Sequence, residues 1–220
     1  MLFFSTTGLV KMVQGRKAAH SREDILAKGF DLFSRQGYHA TGLATILKEC
    51  QVSKGSFYNF FGSKEQFAIE ILDHYHQAEW EKWEQEFNRI EGRIFAKMRI
   101  ILEQKVQMRE QNTDHYGCLL ANLTGELGDC DSSFNATIRT YIQQILDAIT
   151  GDFEEAQRDG DIRSDIDART LACAFWDSWQ GALLRVKVEN TATPMRETIE
   201  LYWNHILPPK QQETADESPS

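Results

Sequence analysis

The stretch "VSKGSFYNFFGSKE", residues 52 to 65, holds the side chains best suited to chemistry in this 220-residue chain. Lys54 carries a full positive charge, Gly55 has no side chain to hold the backbone away from a partner, and Ser56, Tyr58 and Asn59 offer hydroxyl and amide groups. Residues of these types at the start of a short helix suit reversible recognition of a polyanion. The free N–H groups and partial positive charge of a helix N-terminus meet phosphate, and hydroxyls and amides meet base edges or phosphate oxygens. The competing reading is a solvated surface helix in an ordinary bundle.

The elements that must hold these residues are legible on both sides. Ser21 with Asp24 forms a capping box, Ile25, Leu26, Phe30 and Phe33 recur at helical spacing, and Gly37 ends the run as a residue able to take positive φ. Thr41 is read as the next N-cap, before a short helix through Leu43, Ile46 and Leu47. Ser53 caps a second short helix from Lys54 to about Phe60, with Phe57 and Phe61 inward and Tyr58 and Asn59 outward. Ser63 with Gln66 opens a longer helix that reaches "WEKWEQEF". Two short helices joined by a tight turn and packed on a preceding helix are the parts of a helix-turn-helix.

Charge is divided in the same way. Residues 1–64 carry nine Lys/Arg against four Asp/Glu, a net +5, whereas residues 65–220 carry fifteen against twenty-nine, a net −14. A basic head on an acidic body points to a polyanion-binding module joined to one that does not bind polyanions. Four prolines and few runs of strand-like alternation predict an all-α class, and 41% hydrophobic content is ample for a packed core.

Beyond Gly92 the spacing predicts a helix over about 92–109, a short one in "GCLLANLTGEL", and a long amphipathic one from Ser133 through Phe134, Ile138, Tyr141, Ile145, Ile149 and Phe153. After "RDGDIRSDID" come an apolar helix with Leu171, Phe175, Trp176, Trp179, Leu183 and Val186 and a last one opened by Pro194. The expected domains are a flexible arm (1–18), a helix-turn-helix head (19–65), a helical body (66–207) and a disordered tail (208–220). No secretory signal or bilayer-spanning run is read, so a cytoplasmic protein without membrane partners is expected, with Met1 or Met12 as alternative starts. Cys50, Cys118, Cys130 and Cys173 form no close pair, and His74 and His76 diverge on a helix as surface residues, so no metal and no cofactor is expected.

The segment "GYHATGLATILKECQVSKGSFYNFFGSKEQF" resembles the DNA-binding signature of the TetR (tetracycline repressor) family, and the likeness covers about residues 21–75. It implies a three-helix DNA-binding head on a helical body that dimerises through its last two helices and binds a small effector between the others. The implied partners are a second copy of the chain, a small-molecule effector and double-stranded DNA carrying a palindromic operator. Carried over position by position, Thr41, Lys54, Gly55, Ser56, Tyr58, Asn59 and Lys64 become the DNA contacts. Two departures stand out: Gln51 takes the place of the usual turn glycine, and Asn59 stands where histidine is common.

The segments "YGCLLANLTGELGD" and "GALLRVKV" resemble the subgroup that includes the N-ethylmaleimide reductase repressor, whose members respond to electrophiles or oxidants. The shared cysteine falls on Cys118 and the shared lysine on Lys187, which makes thiol sensing one expectation and an aromatic-lined, non-covalent pocket the other. A thiol in a helix's first turn gains from the dipole, which favours thiolate. Phe175, Trp176 and Trp179 read either as an internal core or as a subunit contact, and with Leu183 and Trp203 they are assigned to the dimer interface. The reading is therefore a ligand-released repressor and not an enzyme. The alternatives are a thiol-dependent enzyme using Cys118 and a helical scaffold without DNA binding.

Overall fold

A computed structural model describes residues 21–111, 118–127 and 133–210. The expectations for the N-terminal arm, for Cys130 and for the tail beyond Lys210 lie outside the described residues. Among those described there is no strand, and no helix is long and apolar enough to cross a membrane.

The chain runs through α1 (Arg22–Gln36), α2 (Leu43–Glu49), α3 (Lys54–Phe61), α4 (Lys64–Arg89), α5 (Ile94–Gln111), α6 (Leu119–Leu127), α7 (Ser133–Arg158), α8 (Ala168–Glu189) and α9 (Thr193–Leu201), which passes into a π-helical turn at Tyr202–Ile206. Helices α1, α3 and α4 each begin at a side-chain cap. Ser21 and Asp24 form the full capping box, and the Ser53 and Ser63 hydroxyls accept from the N–H groups of Ser56 and Gln66. Thr41 corrects the reading of α2: the cap is Gly42, without a side-chain bond, while Thr41 is fully buried and its hydroxyl donates to the Gly37 carbonyl at 2.6 Å. Gln51 has φ 53°, so this residue does occupy a left-handed turn position.

Phe67, in the first turns of α4, holds the head together. Its ring lies 5.9 Å from Phe33 of α1 and 5.2 and 4.6 Å from Phe57 and Phe61 of α3. Buried aromatic packing of this kind contributes on the order of 3–5 kcal/mol per ring against truncation. It fixes the outward face of α3. Gly29 lets α1 approach α4, because a Cβ there would stand 2.3 Å from the Phe67 ring and 2.5 Å from Ile71 Cδ1. The boundary expected at residue 65 thus falls inside α4, which starts in the head core and continues into the body.

In the body α8 folds back along α7, and Phe175 is the hub. Its ring lies 6.2 Å from Phe153, 6.2 Å from Trp179, 5.1 Å from Tyr202 and 5.4 Å from Trp203, whose indole N–H donates to the Phe95 carbonyl. Phe175, Trp176, Trp179, Leu183 and Trp203 are all buried within one protomer. Their assignment to a dimer interface is corrected: the strongest apolar stripe of a helix fills the core of its own subunit first. Pro194 stands in the first turn of α9 as expected, and Asn190 ends α8 in the left-handed conformation.

Candidate nucleic-acid interface

The outward face of α3 is built by the burial of its other face. Phe57 and Phe61 are 0% and 2% exposed, so Lys54, Gly55, Tyr58, Asn59 and Phe60 are turned to solvent. Tyr58 and Phe60 are 42% and 43% exposed, a large aromatic surface to leave in water on an eight-residue helix. Ser53 and Ser56 hold each other, with 2.9 Å between their hydroxyl oxygens, which fixes the first turn and leaves Ser56 partly covered. A Cβ on Gly55 would meet nothing within 4 Å. Internal packing therefore gives no reason for glycine there, whereas close approach of another molecule does.

Two of the expected contacts are engaged elsewhere. Thr41 is buried, as described above. Lys64 is half-buried: its ammonium donates to the Tyr38 carbonyl at 2.6 Å and sits 4.0 Å from the centre of the Tyr38 ring. Burial lowers its pKa, with Glu126 acting the other way. Lys64 thus ties α4 to the turn after α1, and the free basic group at the start of α3 is Lys54. Phe60 was not singled out from the sequence, although placing Phe57 and Phe61 inward leaves the residue just before Phe61 on the flank facing solvent.

Head and body are joined through Glu126, in the last turns of α6. Its carboxylate accepts from the N–H groups of Tyr38 at 3.0 Å and His39 at 2.8 Å, and its carbonyl lies 3.0 Å from His39 Nε2. Gly37 fits under it with φ 81°, where a Cβ would stand 2.3 Å from Glu126 Oε1. No spacing rule in the sequence pairs residues this far apart.

The other end of α6 starts at Cys118, whose carbonyl accepts the first helical hydrogen bond, from Asn122. The expected location at a helix N-terminus is thus observed, but not its consequence. Cys118 is 2% exposed, and burial pushes its thiol up to about 12, against the lowering effect of the Ala121 and Leu120 N–H groups. Lys187 is exposed near the end of α8, and the side-chain charge acting on Cys118 is that of Glu79, which disfavours thiolate. The expectation of a lysine-activated thiolate is corrected accordingly. Glu79, half-buried on α4, acts on the buried Cys118, Tyr75 and Lys105 alike.

His76 is another correction. It is 8% exposed, stacks on Tyr141 with ring centres 3.9 Å apart and places Nε2 3.0 Å from Gln144 Oε1. Packing against α7 has taken it off the surface, and burial lowers its pKa. Among the described residues no group of three or more His, Cys, Asp or Glu side chains is placed to hold a metal.

Comparison with known proteins agrees with this geometry. Residues 25–71 match the family description "Bacterial regulatory proteins, tetR family", and residues 95–202 match "Tetracyclin repressor-like, C-terminal domain". The chain is 27% identical over 197 residues to the transcriptional regulator AcuR of Cereibacter sphaeroides, covering 89% of each chain. It is 24% identical over 189 residues to the transcriptional repressor NemR of Escherichia coli K12, covering 86% of this chain and 95% of that one. Among solved structures, a regulatory protein TetR from Rhodobacter sphaeroides superposes with a TM-score of 0.75 at 28% identity, over 83% of this chain and 97% of that one. With the helix-turn-helix in the head and the helical body both matched, the chain belongs to the TetR family of DNA-binding transcriptional regulators.

Proposed function

We propose that the chain is a homodimeric repressor that holds a palindromic operator with two copies of α3 and releases it when a small molecule binds inside the body. The observation that carries this reading is the solvent-facing side of α3. A capped, basic N-terminus with an unhindered glycine is followed by Tyr58, Asn59 and Phe60, all of them exposed on the protomer. A single helix of this size gives weak specificity, and a two-fold pair reading half-sites about 34 Å apart supplies the rest.

The surface proposed for pairing is the outer side of α8 and α9, in place of the buried tryptophans. Leu184, Val188 and Leu201 are 51%, 85% and 49% exposed, three large aliphatic side chains left in water by the protomer. Ala174 and Gly181 lie on the exposed side of α8 at helical spacing from Leu184 and Val188, leaving room for a second helix to approach.

Release follows from the connection through α6. A ligand near Cys118 displaces the start of that helix, Glu126 at its other end moves with it, and the turn at Tyr38 and His39 is carried along. The spacing of the two α3 helices then no longer fits both grooves. Thr41 and Lys64 act within the head on this reading, and Lys54, Gly55, Ser56, Tyr58 and Asn59 remain proposed DNA contacts, joined by Phe60. The head is taken as residues 19–65 and the body as 66–207, with α4 shared between them.

Selection from a library of genomic fragments tests the reading. It is supported if a two-fold symmetric sequence is enriched and protected by the dimer, and it fails if no duplex is enriched in low-salt buffer.

A further inference from the structure

Lys105 and Arg109 lie one turn apart on α5, and both are buried, at 5% and 4% exposure. Arg109 donates to the Asn190 side-chain carbonyl at 2.9 Å. Among the described residues Lys105 makes no hydrogen bond and no ion pair. The carboxylates in its field are Glu79 and Glu86 of α4, and Glu86 lies 3.9 Å from Lys82. An ammonium taken out of water without a partner is among the costliest arrangements a core can hold. Met, of similar length, would fill the same space without that cost. On its own helix Lys105 is flanked by the buried apolar residues Leu102 and Val106.

We propose that Lys105 anchors the effector, and that the effector is a monoanionic organic acid whose carboxylate pairs with this ammonium while its apolar remainder packs between α4, α5 and the start of α6. The inference rests on the ligand-responsive reading above and names the ligand class for it. One ammonium without a hydrogen-bonding partner matches one carboxylate. A second negative charge on the ligand would be opposed by Glu79 and Glu86, whose charges already act on Lys105. Glu79 acts on both Lys105 and Cys118, and Cys118 opens the helix whose far end holds the head through Glu126, so on this proposal pairing at Lys105 is passed to the place where the DNA-binding module is attached.

The test uses the purified full-length protein without DNA, which separates it from the operator-binding reading. Thermal unfolding is followed with millimolar butyrate and hexanoate, with the neutral butyramide and hexanamide, and with inorganic phosphate. The proposal expects a saturable rise in Tm with the carboxylates, larger for hexanoate, and none with the amides or phosphate. In Lys105→Met the carboxylate affinity falls by ~tenfold or more, whereas Lys105→Arg keeps most of it. Equal shifts with acid and amide, a response to phosphate as strong as to hexanoate, no shift with either acid, or an unchanged response in Lys105→Met overturns the proposal. If Lys105→Met does not fold, the acid-against-amide comparison in the wild-type protein decides alone.

Discussion

Glu126 accepts the main-chain N–H groups of both Tyr38 and His39, so a single carboxylate on α6 grips the turn that leads into the recognition unit. The helix that bears it begins at buried Cys118. One rigid element therefore touches the interior of the body at one end and the head at the other.

Replacing that carboxylate should loosen the joint. Glu126→Ala removes two charge-assisted bonds and is expected to lower stability by about 1–3 kcal/mol. Amide exchange at Tyr38 and His39 should speed up by ~tenfold or more, with the α7–α8 core unchanged. Equal protection in the variant would show that the turn is held by other contacts.

Gln51 stores a small, removable strain. Its φ of 53° lies in the left-handed region, where a side chain costs about 1 kcal/mol relative to glycine. Gln51→Gly should therefore raise Tm by roughly 2–4 °C. A fall in Tm would mean that the flexibility glycine adds to the unfolded chain outweighs the strain relieved.

The head was more legible in the sequence than the body, for a physical reason. Caps act within three or four residues, so Ser21, Ser53 and Ser63 announce their helices locally, and Phe57 and Phe61 declare the buried face of α3 by spacing alone. Thr41 misled because its hydroxyl found the Gly37 carbonyl four residues back, an equally local alternative that leaves the cap to glycine. Periodicity tells which face of α8 is buried but not against what, so Trp176 and Trp179 read equally well as core or interface. Lys105 and Arg109 were invisible because a charged residue on a helix reads as solvated until its neighbours in space are known.

Cysteine reactivity checks the corrected account of Cys118. With its thiol pushed up to about 12 by burial, Cys118 is held in the unreactive thiol form at pH 8. Maleimide labelling of the native protein, mapped by mass spectrometry, should modify the half-buried Cys173 before Cys50 or Cys118, with Cys118 labelled only in denaturant. Modification of native Cys118 ahead of Cys173 would restore thiol sensing as the working mechanism.

Self-association is tested on the exposed aliphatic surface. Val188 is 85% exposed in the protomer, so Val188→Asp should leave the fold intact while placing a carboxylate in the proposed interface. Sedimentation at micromolar concentration is expected to show dimer for the wild type and monomer for the variant. A variant that remains dimeric would move the interface away from this side of α8.

The most direct measurement is the salt dependence of operator affinity for the wild type and for Lys54→Ala, using the duplex recovered by genomic selection. Lys54 is exposed at the first position of α3 and takes no part in the head's core. If it faces phosphate, its loss weakens binding similarly on every duplex and reduces the slope of log affinity against log salt by about 1. An unchanged affinity and slope would contradict the placement of α3 against DNA.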